Sequence, residues 1–457
     1  MASLSPAPAV ASLPFAASAA TLERVIAVAG DTESAVGAER RREAFARYTA
    51  LPAPGGHPGR TWRYNYDKLA LDDVRWSSGC IDVPAAPARE LAPDDPDTGQ
   101  PALETGAAGG LAHLGALVLR PERTLPADPR ITVVPLAGAA RMHDEVCAST
   151  HLHIADWRGD RFAALSVAFQ NCGAFVYVPE GVVLDAPIQL LFAANEAETA
   201  AIFPHVVVVL GAGARATVIE RFGGAGDAFV SGIVEAHVGP NAELDYVAVQ
   251  RTDAEARIFF SRAGRCEHDA VIRWHLAELG GALARSVIDT RLSEPGARAE
   301  TGALFFTGAM QHVDLTTQTD HAVGPTFSDT VVRSAATDRG QGRFFGNIVI
   351  RAQAHGADAA LRDDALLLSK HAHIDSVPAL EIAANDVKAF HGATVGSLDD
   401  ETLFYALSRG IARADALRMI ALGFFEPAIA RFPGERLRDE VRAALDEKID
   451  EATEIDA

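Results

Sequence analysis

Few side chains in this chain could do metal or proton chemistry, and they lie far apart. His391 stands alone in "NDVKAFHGATVG". On a strand, alternation places Val387, Ala389, His391, Ala393 and Val395 on one face, and Lys388, Phe390, Gly392 and Thr394 on the other. Two readings of His391 stand: a packed histidine bonded through one nitrogen, or a ligand or proton-handling group at a protein interface. His151/His153 and His371/His373 are alternate-residue pairs, which on a strand would share a face as two metal ligands do. Neither pair has a third ligand close in sequence. Cys80, Cys147, Cys172 and Cys266 are scattered with no CxxC, so they form neither a disulfide framework nor a zinc finger, and a reducing cytosol is expected. No GxxxxGK[ST], GxSxG or HExxH occurs, and "GGAGD" is not followed by the Lys-Ser/Thr of a phosphate loop.

The net charge of −20 argues against a general nucleic-acid binder, which needs clustered Lys and Arg. No apolar run approaches the roughly 18–20 residues of a membrane span. The first basic residue is Arg24, so the Ala/Ser/Pro-rich N-terminus reads as a flexible arm rather than a secretory signal.

The elements that must position these residues fall into three zones. Residues 1–110 read as a helical region, helical from about 20 to 50, followed by a Pro/Gly-rich connection over about 80–110. Residues 111–396 hold short alternating runs such as "ATVIERF", "AELDYVAVQ" and "RFFGNIVIRAQ", the period-two pattern of strands. Turn markers recur there: "GARA" from Gly213, "NAEL" from Asn241, "DAVI" from Asp269, "GARA" from Gly296 and "GADA" from Gly356. An interval near 28 residues, doubled once, points to a β-solenoid in which each coil buries its inner face against the next. A sandwich with irregular loops is the alternative. The Thr-, Asp- and His-dense "HVDLTTQTDHAVGPTFSD" reads as side chains stabilising solenoid turns.

Residues 397–457 read as a helical module. Ser397 and Asp400 form a weakened capping box ahead of Leu403, Phe404, Leu407 and Ile411 at helical spacing. A second helix is expected to end at Gly423 and Pro427, and a third covers "GERLRDEVRAALDEKIDE".

Several motifs together resemble the SufB/SufD family of iron–sulfur cluster assembly proteins. They are Asp320-His321 with Pro325-Thr326, "GRFFGNIVI", "LLLS" followed by "IDSVPALEI", "NDVKAFHGATVG" and "LDDETLFYALSRGI". The resemblance implies a right-handed parallel β-helix flanked by N-terminal and C-terminal helical regions. It also implies a non-catalytic scaffold that pairs through its β-helix with a SufB-like subunit and receives the SufC ABC ATPase on its C-terminal helices, where Phe404, Tyr405, Arg409 and Ile411 are the partner-binding candidates. B-type members carry a cysteine before the final strand, roughly where Ala372 stands here, and Glu-His-Glu-Ala-Thr where this chain reads "FHGAT". That places the chain on the D side of the family. It departs from many D-type members in having Ala389 and Phe390 before the histidine rather than Cys-Ser, and Asn385-Asp386 for the commoner acidic pair.

By that resemblance His391 is a candidate ligand of a nascent iron–sulfur cluster shared with SufB at the subunit interface. Reduced flavin is linked to such complexes, with no site located in this sequence. The competing classes are a structural β-helix homodimer and, behind it, a polysaccharide-active β-helix enzyme. Cytoplasmic localisation is expected.

Overall fold

In the computed structural model, the residues described are 12–14, 16–29, 35–52, 66, 69, 75–77, 107–114, 117–119, 129–136, 139, 144–193, 200–224 and 227–454. Cys80 and most of the connection over 80–110 lie outside them, as does the side chain of Cys147.

Successive strands alternate between two sheets, one of 12 described strands and one of 10. Within each sheet the coil neighbours run parallel. Arg215 pairs with Glu243, Glu243 with Val271, Val271 with Arg298 and Arg298 with Phe327, so one coil takes 27 to 29 residues. The result is a parallel β-solenoid of about seven turns with helices at both ends of the chain.

The turn markers set this rise. Gly213, Asn241, Asp269, Gly296 and Gly356 all have positive φ, the left-handed conformation that Gly, Asn and Asp tolerate best. Each donates its N–H one coil onward: Gly213 to Pro240 O at 2.8 Å, Asn241 to His268 O at 2.8 Å, Asp269 to Pro295 O at 3.1 Å and Gly296 to Pro325 O at 2.7 Å. The alanine after each marker (Ala214, Ala242, Ala270, Ala297, Ala357) is buried, forming a column of small side chains where the backbone bends sharply. The doubled interval falls on the coil that turns through the cis Gly324-Pro325 bond instead.

Inward residues build the main core, including Val218, Tyr246, Trp274, Phe305 and Phe344. The outward faces are covered too. Helices Ala19–Ala29, Ala35–Ala50 and Arg161–Phe169 pack Leu22, Val25, Ala44, Phe162 and Phe169 onto Phe203, Phe229, Ile233 and Phe259. Opposite, helices Arg413–Ile429 and Glu435–Glu454 lay Phe425, Ile429, Val441 and Leu445 on Val247, Val249, Leu304 and Phe306. Arg221 grips Glu440 through two bonds of 2.8 and 2.7 Å. Strands covered on both faces lose their alternation, as Phe229–Val238 shows.

Several expectations are corrected here. Helices Asp144–Thr150 and Arg161–Phe169 lie in a stretch read as strands. The helix Asp400–Ser408 is capped by Asp399, which accepts from the N–H groups of Glu401 and Thr402, not by Ser397. The next helix runs through Gly423 and Pro427 to Ile429. Pro427 removes one N–H bond from the helix, and Phe425, Ala428 and Ile429, buried against the sheet, hold the helix in place through it. Most of the Thr/Asp/His-rich segment is strand, His312–His321; only Thr326 serves the bend, bonding His321 Nδ1 at 2.8 Å. Neither histidine pair shares a strand face. His151 lies in a turn, and His371 precedes the strand that starts at His373.

The turn after Thr150 is fastened to the solenoid by one buried carboxylate. Glu235 accepts the N–H groups of Leu152, Ile154 and Ala155 at 2.5 to 3.1 Å and a bond from His205 Nε2 at 3.0 Å. His205 Nδ1 in turn lies 3.2 Å from His151 Nε2. Burial alone would raise the pKa of Glu235, but His205 and the backbone donors hold it down at about 2. Burial, reinforced by His205, lowers His151 to about 3.

A depressed carboxylate adds stability that is present above its unfolded value of 4.5 and is lost as pH falls through about 2. The shift corresponds to about 3 kcal/mol. Glu235→Gln is therefore expected to lower stability by about that amount at pH 7 and by little near pH 2. Urea unfolding at the two pH values checks this; an equal loss at both would mean the charge contributes nothing.

Candidate functional site

The solenoid is uncovered at its C-terminal end. Among the described residues, strands His373–Ile382 and Val387–Ser397 each finish one sheet, and each pairs on one side only. Such edges present unpaired backbone N–H and C=O groups and readily add another strand. Pro378 interrupts the donors of the first edge. Ile382, Phe390 and Val395 are exposed around this end.

His391 sits on the last strand, in register with the buried Leu361. Val387 and Ala389 pack against the core while Lys388 and Phe390 are exposed, so the expected alternation holds up to the histidine. His391 therefore faces inward, half-buried, and its Nδ1 is buried without a hydrogen-bond partner. On the outer side, the Arg362 guanidinium lies 5.5 Å from the centre of the Phe390 ring.

Two strands contribute further polar groups on the same inner wall. Asp363, two residues past Leu361, is fully buried. Its Oδ2 accepts from Ser376 Oγ of the opposite sheet, and its Oδ1 has no partner. Burial pushes the Asp363 carboxyl up to about 7, against the Ser376 bond and the charge of Arg333. Sequence reasoning missed Asp363; its signal was an acid at an inward position of "ADAALRDDALL".

The other candidates are dispersed. Phe404 and Tyr405 are 70% and 61% exposed, and the Arg409 guanidinium stacks 5.0 Å from the Tyr405 ring while donating to its hydroxyl at 3.1 Å. Ile411 packs instead on Leu403, Ala406 and Ala416. His373 bonds Asp375 at 2.8 Å. Cys172 and Cys266 are buried, and burial raises the Cys266 thiol beyond any ready ionisation. Among the described residues no group of three His, Cys, Asp or Glu side chains is placed to hold a metal ion. Among them, too, no helix is long and apolar enough to cross a membrane.

A parallel β-solenoid flanked by helices, with an unpartnered imidazole nitrogen at the last coil, defines the class of protein. Comparison with known proteins gives the particular family. The SUF system FeS cluster assembly SufBD core domain matches residues 192–424, and the SufBD protein N-terminal region matches residues 119–190. The chain belongs to the SufBD family.

The chain is 29% identical over 293 residues to the iron–sulfur cluster assembly protein SufD of Bacillus subtilis, covering 63% of this chain and 67% of that one. It is 28% identical over 279 residues to SufB of the same organism, covering 60% of each. A SufBD family protein of Mycobacterium leprae is 28% identical over 279 residues, spanning 60% of this chain but only 32% of that protein. SufB and SufD are thus matched almost equally.

Proposed function

We propose that this chain is a SufD-type scaffold subunit for iron–sulfur cluster assembly, without catalytic activity of its own. The observation that carries this reading is the open last coil, with His391 facing inward beneath two unpaired strand edges. A SufB-like subunit would continue the sheets and supply the thiolates that this coil lacks. His391 would contribute one ligand to the nascent cluster, the cargo of the assembly. Imidazole is a weaker holder of iron than thiolate and can be released by protonation, which suits a cluster that must leave.

The D-type assignment rests on Ala372 and on "FHGAT" in place of the B-type residues. The domain limits follow the same reading: a helical region over 1–110, the solenoid over 111–396 and a docking module over 397–457. Reduced flavin would belong to the complex, and the cytoplasm is the compartment that fits. Co-purification from cells tests the whole reading: a SufB-like protein and an ABC ATPase should come down with this chain. Recovery of a symmetric homodimer alone would favour the structural alternative instead.

The SufC ATPase would dock on the module's exposed aromatic pair. Phe404 and Tyr405 stand clear of the solenoid with Arg409 beside them, and buried aromatic and Arg anchors dominate binding energy at interfaces. Phe404→Ala with Tyr405→Ala is expected to weaken ATPase binding at least about thirtyfold, while the SufB-like partner stays bound. Pull-down of both partners measures this, and unchanged ATPase recovery would remove the docking assignment.

A further inference from the structure

The inner wall of the last coil holds more than the histidine. Leu361 pairs with His391 and Asp363 pairs with Ala393, so Asp363 is one diagonal step from His391 across a single strand pair. Strand Ala357–Leu367 alternates cleanly, with Ala359, Leu361, Asp363 and Ala365 buried and Asp358 and Arg362 exposed. Both residues therefore face the lumen. Each carries a buried atom without a partner, Nδ1 of His391 and Oδ1 of Asp363. Ser376, from the facing sheet, holds the other carboxyl oxygen of Asp363 and so orients it.

An unpaired acceptor this deep is costly and calls for a reason. A purely structural acid here would be expected to take a second donor, and its Oδ1 has none.

We propose that Asp363 is a second ligand beside His391 for ferrous iron, which the last coil takes up before thiolates of another chain complete the site. This rests on the reading of His391 as a ligand. Carboxylate oxygen and imidazole nitrogen are donors that suit a divalent first-row ion, whereas thiolates suit the finished cluster. Two ligands from this chain leave the remaining positions to water and to the partner. That agrees with the lack, among the described residues, of any three-ligand group.

Cobalt(II) serves as the probe, titrated anaerobically into the full chain and followed by visible absorption. The wild type should bind one ion. Asp363→Asn, which keeps the volume and the Ser376 contact, should weaken binding at least about tenfold, as should His391→Ala. Asp289→Asn, an acid of the outer face, should leave it unchanged. Melting temperatures of all variants separate loss of the site from loss of the fold.

No binding by the wild type, or equal binding by a folded Asp363→Asn, would overturn the proposal. Loss in His391→Ala alone would remove Asp363 and leave the histidine ligand standing. The scaffold reading is judged separately, by which partners co-purify.

Discussion

The assembled complex carrying His391→Ala is expected to keep its partners and lose its cluster. Iron and acid-labile sulfide in the purified complex should fall at least about tenfold, because removing a direct ligand costs no less than the 10- to 100-fold seen for groups one shell further out. The substitution leaves the fold alone. His391 is only half-buried on the final strand, and Nδ1 makes no hydrogen bond that would be lost. Its melting temperature should therefore stay close to the wild-type value. His391→Cys keeps a ligand that iron accepts and should retain a cluster while slowing its transfer to an apo-protein. Should the alanine complex carry as much iron and sulfide as the wild type, the histidine is a packing residue.

How much of this site could be read from the sequence depends on sequence distance. That Val387, Ala389 and His391 share a face followed from counting by twos along one strand; in the structure that face turns inward as far as the histidine, while Ala393 and Val395 are exposed. Asp363 could not be found that way. Its importance lies in an atom that lacks a partner and in Ser376 on the facing sheet, both consequences of how separate strands stack. The Glu235 clamp was hidden for the same reason. It joins residues about 80 positions apart, and the histidines that looked like a strand pair belong to different environments.

The solenoid was more legible because its repeat is written in residues with few conformational options. Gly213, Asn241, Asp269, Gly296 and Gly356 are read as turn markers, and each occupies the left-handed region. The alanine beside each is as informative, since only a small side chain fits the bend. Legibility failed where tertiary burial overrides local pattern. Helix Arg161–Phe169 is apolar on nearly every side, and eight of its residues are buried, so no amphipathic stripe marks it. Pro427 looked like a stop, yet the apolar face of its helix is held against the sheet.

The second large effect is expected inside the solenoid, at a residue that alternation predicts to be apolar. Arg262 faces the lumen and is almost wholly buried. Its guanidinium donates to Ser286 Oγ at 2.6 Å and lies 3.5 Å from Glu278 and 3.7 Å from Glu220. Ser286 donates to Glu278 at 2.6 Å, and the Tyr246 hydroxyl donates to Glu220. Burial raises the Glu220 carboxyl, and Arg262 pulls it back.

Arg262→Met fills the space but leaves two buried carboxyls without their cation, a loss of about 3–5 kcal/mol. Without Arg262 the Glu220 carboxyl should rise further. An acid whose folded value is raised loses stability as pH climbs from its unfolded to its folded value. The penalty should therefore be larger at pH 8 than at pH 5. Replacing all three charges together, Arg262→Met with Glu220→Gln and Glu278→Gln, removes the stranded charge and should recover most of the stability, because the three act as one unit. Urea midpoints at both pH values decide it. If the single variant proves no less stable than the triple, Arg262 acts by packing its chain and not by its charge.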